Sequence, residues 1–251
     1  MGLKPVPARR VTWVATLATA SLALAIGPCA PISSVRAESA PQAERGADDL
    51  AHEGALPENF RELARQSGEP QIAGLTIVYL HPLGLPADAV KWRNIIVHQT
   101  EGPAGSARSM ALGQAQNPTK RGVTVWVETD GTVYWSTAEN VIPTHGDGAN
   151  RNDNKYIDNS KTYRSVIKTN SIGVEFVGNY PDVAKPATRE QRQAWLILVR
   201  FLQERYDIPA ENIYAHNWID FKDRRYCEGC ELATLARKLG YAPGRRASSG
   251  E

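Results

Sequence analysis

Apolar residues along the chain fall into one unbroken N-terminal block, a polar gap, and a long region where short β-branched runs alternate with helical stripes. Asn94-Ile95-Ile96-Val97-His98 is a compact β-branched run and reads as a buried strand. Residues 123–127 and 132–135 are two further β-rich runs. They meet through Asp130-Gly131, the dipeptide that supplies the positive φ angles of a tight hairpin turn. Residues 172–177, closed by Gly178, predict a fourth strand, and 212–216 a fifth. Trp195, Leu198, Val199, Leu202 and Tyr206 share one helical face, and Thr188 with Gln191 forms a capping box at its start. Leu232, Leu235, Ala236 and Leu239 repeat the stripe, with Gly240 placed to end it. Residues 106–116 carry a weaker helical pattern. Strands and helices alternate without a strict βαβ beat, which predicts a single α/β domain with a mixed central sheet flanked by helices.

The N-terminal block, Val11 to Gly27, follows Arg9 and Arg10 and gives way to a small-residue exit at Val35-Arg36-Ala37. This is the layout of a secretory signal, and it predicts cleavage after Ala37 and a mature protein that is periplasmic or secreted. The run is shorter than a spanning helix requires, so no transmembrane domain is expected after cleavage. Cys29 leaves open a lipoprotein anchor, although Pro28 occupies a place where that signal favours a small residue. Residues 38–70 are read as a flexible leader because the stretch from Glu38 to about Gly54 is rich in Ala, Glu, Asp and Gln and poor in large apolar residues. The domain is then expected over 71–241 and a polar tail over 242–251. The first 37 residues hold four of the 29 Lys and Arg and none of the 27 acidic residues, so the rest of the chain is close to neutral. A nucleic-acid binder would show a concentrated basic face, and that class is excluded. A monomer is the expected state.

Candidate chemistry centres on histidine and cysteine. His98 and His216 close two predicted strands, where a sheet presents side chains to a crevice, and Cys227 follows 11 residues after His216. Zinc favours imidazole nitrogen and thiolate sulfur, and a catalytic site keeps three protein ligands with a fourth position for water. His98, His216 and Cys227 would supply that set, with Asp220 or Asp223 as the other candidates for the third place. Cys227 and Cys230 also form a C-x-x-C motif ahead of a predicted helix, which suits a thiol-disulfide protein or a structural disulfide.

From about Asn94 to Gly240 the chain resembles the zinc-dependent N-acetylmuramoyl-L-alanine amidases of the type 2 family, which also includes the peptidoglycan recognition proteins. The resemblance rests on IIVHQT, the hairpin VWVETDGTVYWS, the loop PTHGDGAN, the strand NSIGVEFVGN, the helix TREQRQAWLILVRFL and IYAHNWIDFKDRRYC, in that order. It implies the family's mixed-sheet fold, Zn2+ as cofactor, and His98, His216 and Cys227 as its ligands. It implies Glu175 as general base, since a tyrosine used by other members is replaced by Val123, and Arg225 or Lys222 as the oxyanion-stabilising cation. His145 in the glycine-rich loop is placed near the substrate groove, with Asn150 and Trp126 as further substrate-binding candidates. The family's third ligand usually leads into proline, whereas Cys227 leads into Glu228-Gly229-Cys230.

The chemistry asked of these groups is coherent. Amide hydrolysis needs a stronger nucleophile than water and a polarised carbonyl, and zinc supplies both. A carboxylate moves the proton from water to the leaving amine. The expected reaction is cleavage of the bond between N-acetylmuramic acid and L-alanine in peptidoglycan or muropeptides. The other reading is a peptidoglycan-binding module of the same fold without activity.

Overall fold

The computed structural model describes residues 56–81, 83, 88–100, 102–145, 158–178, 186–220 and 227–241. The signal segment, most of the leader, Asn150, Lys222, Asp223, Arg225 and the polar tail lie outside them. The described elements are α1 (Phe60–Arg65), β1 (Ile77–Tyr79), β2 (Asn94–Gln99), α2 (Ala107–Gln116), β3 (Val125–Val127), β4 (Val133–Trp135), β5 (Ser171–Phe176), α3 (Arg189–Tyr206), β6 (Ile213–Ala215), α4 (His216–Ile219) and α5 (Cys230–Lys238). The strands form one six-stranded sheet in the order β1-β4-β3-β5-β2-β6. All neighbours are parallel except the β3–β4 hairpin, so the sheet is mixed and flanked by helices, as the alternating pattern requires.

The pleat divides the sheet into a core face and a site face. Ile95, Val97, Val125, Val127, Val133, Trp135, Ile172, Val174, Phe176, Ile213 and Ala215 point to one side and pack with α3 and α5. The partners in between, Trp126, Glu175 and His98, stand in register across β3, β5 and β2 and leave the sheet on the opposite face. The one strand pattern therefore builds the core and presents the chemistry.

Local signals explain the element ends. Thr188 Oγ1 accepts from Gln191 N at 3.0 Å and Thr188 N donates to Gln191 Oε1 at 3.1 Å, the reciprocal box expected at the start of α3. Gly131 adopts φ +85°, and a Cβ there would stand 2.9 Å from the Glu190 carbonyl oxygen, so the turn and the start of α3 both require glycine. Strand β3 begins at Val125, later than the predicted 123, and Ser136 Oγ lies 3.0 and 2.9 Å from the carbonyl oxygens of Val123 and Thr124.

The expected leader boundary at residue 70 is corrected by α1. Phe60 and Ala64 are buried, and the Phe60 ring meets Phe201 of α3 edge to face at 6.4 Å. Arg205 of α3 donates to the carbonyls of Ala64 and Gln66 at 3.2 and 2.7 Å. The folded domain thus includes residues from Phe60 onward. Two apolar positions four apart, set among charged neighbours, are enough to dock one and a half helical turns on a preformed core. No described helix is long and apolar enough to cross a membrane.

Candidate active site

His98 is the fifth residue of β2, and His216 is the first residue of α4, where the chain leaves β6. Because β6 pairs with β2, both imidazoles emerge at one end of neighbouring strands, and their rings lie 4.4 Å apart. The third member of the group is Glu228. Its Oε1 lies 3.2 Å from His98 Nδ1 and 2.9 Å from His216 Nδ1. One donor atom from each residue falls within 4.8 Å of the others, and all three side chains are buried. Burial alone would raise the Glu228 carboxyl. The hydrogen bonds and charge of His216 and His98 outweigh it and hold the group well below the ordinary range, so it stands ionised.

Cys227, the expected third ligand, is not in this group. It forms a disulfide with Cys230, and the bridge brackets Glu228 and Gly229. The backbone of this short loop is held from both sides: Asn217 N donates to Glu228 O at 3.3 Å, and Gly229 N donates to Gln99 Oε1 at 2.9 Å. Gly229 has φ +80°, and a Cβ there would collide with the Val97 carbonyl oxygen. The loop is therefore pressed against β2, which aims Glu228 at the two imidazoles. Asp220, the other described candidate, stands behind His216, with Oδ2 3.9 Å from its Nε2, on the side away from Glu228.

His145, expected at the substrate groove, is buried under the site. Its Nδ1 lies 3.3 Å from His98 Nε2 and its Nε2 lies 3.0 Å from the Ser171 carbonyl oxygen. Burial and the neighbouring His98 lower its pKa well below the usual histidine value, so the ring is neutral. Gly173 makes room for it, because a Cβ at that position would stand 3.0 Å from the His145 ring. Trp126, also expected to bind substrate, is 7% exposed, donates its indole N–H to Ser136 Oγ at 3.3 Å, and packs with Ala107, Ala111 and Val123. Glu175, beside it in register, is half-buried on the site face next to His98.

One further carboxylate, Glu128, was not singled out by sequence reasoning. Its oxygens accept from Gly105 N, Ala107 N, Thr129 N and Thr129 Oγ1 at 2.8 to 3.0 Å. Burial pushes its pKa up, but these bonds win and hold it below the ordinary value. It ties the start of α2 to the hairpin.

Two buried imidazoles and a carboxylate thus stand close enough together to hold a metal ion, with a second carboxylate, Glu175, on the neighbouring strand. Comparison with protein families matches residues 88–230 to the model described as N-acetylmuramoyl-L-alanine amidase, Amidase_2. Comparison with curated proteins gave no match. Similar solved structures include an endolysin N-acetylmuramoyl-L-alanine amidase, LysCS, from Clostridium intestinale URNW, at 16% identity and TM-score 0.43, covering 65% of this chain and 95% of that one. A mutant endolysin from Bacillus subtilis has 20% identity and TM-score 0.45, with coverage of 66% and 99%. Drosophila PGRP-LB has 19% identity and TM-score 0.39, with coverage of 57% and 78%. With more than half of the chain matched by the family model, the protein belongs to the N-acetylmuramoyl-L-alanine amidase family. Its reaction is hydrolysis of the amide between N-acetylmuramic acid and L-alanine in peptidoglycan.

Proposed function

We propose that the amidase is zinc-dependent, that His98, His216 and Glu228 hold the ion, and that Glu175 is the general base. The observation that carries the reading is the convergence of His98 Nδ1 and His216 Nδ1 on one oxygen of Glu228. A carboxylate oxygen offers lone pairs, and so does each Nδ1 once its proton has left, so the three atoms together form a donor set for a cation. A proton serves in the metal-free protein and a metal ion in the loaded one. Two imidazoles with one carboxylate form an established donor set for catalytic zinc and leave a position for substrate. Zinc held there would lower the pKa of water from 15.7 toward about 7 and polarise the scissile carbonyl.

The remaining work falls to the chain. Glu175 takes the proton of the attacking water and delivers it to the leaving nitrogen of L-alanine. Its place on the site face, one strand from His98, supports that role. Asp220 braces His216 from behind. Arg225, by family resemblance, stabilises the oxyanion. Peptidoglycan or released muropeptide is the substrate, reached after export directed by residues 1–37, and one chain supplies the whole donor set, in keeping with a monomer.

A thiol-disulfide role for Cys227 and Cys230 has the bonded pair in its favour. We assign the bridge instead to closing the loop that carries Glu228, because both residues between the cysteines are buried and hydrogen-bonded. Zinc content and muropeptide cleavage of Glu228→Gln, Cys227→Ser and Cys230→Ser separate the readings. Glu228→Gln should lose both zinc and activity, while the two serine variants keep zinc and lose thermal stability to a similar extent. Loss of zinc in Cys227→Ser with retention in Glu228→Gln would make the thiolate the third ligand.

A further inference from the structure

We propose that His145 is a positioning residue that fixes the tautomer of His98, keeping its Nδ1 open for the metal. The inference rests on the metal centre proposed above and adds a residue whose role lies behind it. The chain of hydrogen bonds has one fixed end. A backbone carbonyl oxygen can only accept, so the contact of His145 Nε2 with Ser171 O at 3.0 Å places the proton of His145 on Nε2. Its Nδ1 is then an acceptor. His98 Nε2, 3.3 Å away, supplies the proton for that bond. With Nε2–H spent on His145, a neutral His98 has its lone pair on Nδ1, the atom aimed at Glu228.

The alternative tautomer is the one Glu228 alone would favour. A carboxylate oxygen 3.2 Å from Nδ1 attracts a proton to that nitrogen, and an Nδ1–H cannot ligate a metal. The relay Ser171 C=O, His145, His98 opposes this self-blocking arrangement from the far side of the ring. Such outer partners set which nitrogen of a ligating histidine carries its proton, and their loss typically lowers metal affinity about 10- to 100-fold.

The fold is shaped for the relay. His145 is 6% exposed, and its ring stands nearly perpendicular to that of His98 at 80°. The strand beneath it is cut back at Gly173, where a Cβ would also stand 2.8 Å from Val123 Cγ1. The chain enters His145 through a backbone bridge in which Thr144 N donates to Lys120 O at 3.0 Å and Gly122 N donates to Thr144 O at 3.2 Å. The ring is therefore fixed by its backbone, by the glycine and by both of its nitrogens.

The test uses the full chain, zinc as the probe and two variants. His145→Asn places an acceptor where Nδ1 stood, and His145→Phe fills the space without one. The expected result is a zinc affinity within a few-fold of wild type for His145→Asn and about 10- to 100-fold weaker for His145→Phe. Equal affinity in wild type and His145→Phe, or equal losses in both variants, would overturn the proposal. If His145→Phe does not fold, 15N-resolved imidazole NMR of the zinc-loaded wild type decides the matter: His98 should hold the ion through Nδ1 and keep its proton on Nε2, and a ring that ligates through Nε2 would refute the relay. His98→Ala separates this from the metal reading. Wild-type affinity in that variant would defeat the ligand assignment, while the relay still stands or falls on the His98 tautomer.

Discussion

Replacing Glu139 with leucine should destabilise the protein strongly, and the reason is a buried charge network that joins α1 to α3. Glu139 Oε1 and Oε2 receive Arg205 Nε and Nη2 at 2.5 and 3.0 Å, and Tyr206 OH donates to Oε1 at 2.6 Å. Both charged side chains are essentially sealed from solvent, at 0% and 1% exposure. Burial pushes the Tyr206 hydroxyl well above its usual pKa, so it acts as a neutral donor. Removing the carboxylate leaves a guanidinium without its counter-charge in the interior, which costs about 3–5 kcal/mol. For a domain of this size each kcal/mol lowers Tm by roughly 2–4 °C, so the single variant should melt about 6–20 °C below wild type. Adding Arg205→Met removes the stranded charge. It also gives up the two bonds to Ala64 and Gln66, at about 1 kcal/mol each, so the double variant should be no worse than the single and recover part of its loss. Near-UV circular dichroism of the full chain reads these midpoints, and limited proteolysis between residues 56 and 70 reads the release of α1. A Glu139→Leu midpoint within about 2 °C of wild type would refute the reasoning, as would simple additivity of the two substitutions.

Other consequences follow from the site and its supports. Glu175→Gln should bind zinc as tightly as wild type while kcat falls about 10²- to 10⁴-fold, the loss expected for a general base; a near-normal turnover of a synthetic muropeptide would remove Glu175 from the mechanism. Glu128 has a folded-state pKa below its unfolded value, so its stabilisation is present above the unfolded pKa near 4.5 and is lost as pH falls through the lower, folded value. Chemical denaturation as a function of pH should show a stability loss in this acid range that is smaller in Glu128→Gln, and identical acid profiles would contradict it.

Much of the sheet and of α3 was legible because local signals and tertiary packing agree there. The β-branched run at Asn94–Gln99 is buried throughout, and the Thr188–Gln191 box caps α3 as its residues require. His98 and His216 were recognisable because strand ends are where such a sheet exposes side chains. The third donor was not. Cys227 and Glu228 are adjacent in sequence, and zinc chemistry favours a thiolate. Cys227 is bonded to Cys230, and the carboxylate between them lies 2.9 Å from His216 Nδ1, which is why Glu228 is the proposed donor. The signal that could have pointed there is a C-x-x-C pair in a chain expected to reach an oxidising compartment. His145 was assigned to the groove because its loop is rich in glycine and asparagine. Its partners, His98 and Ser171, are 47 and 26 residues away in sequence, and only the sheet brings them together. The segment holding α1 lacked a long apolar stripe, and its burial depends on contacts with α3 that no local pattern encodes.

In the proposed mechanism, peptidoglycan amide cleavage depends on zinc held by His98, His216 and Glu228. The most direct measurement is elemental analysis of the purified protein joined to muropeptide cleavage before chelation, after verified metal removal, and after stoichiometric zinc is returned. The expected result is about one zinc per chain, cleavage at the bond between N-acetylmuramic acid and L-alanine, loss of that cleavage with the metal, and its recovery with zinc in wild type but not in Glu228→Gln. Full cleavage by verified metal-free protein, or zinc-restored wild-type activity in Glu228→Gln, would contradict it.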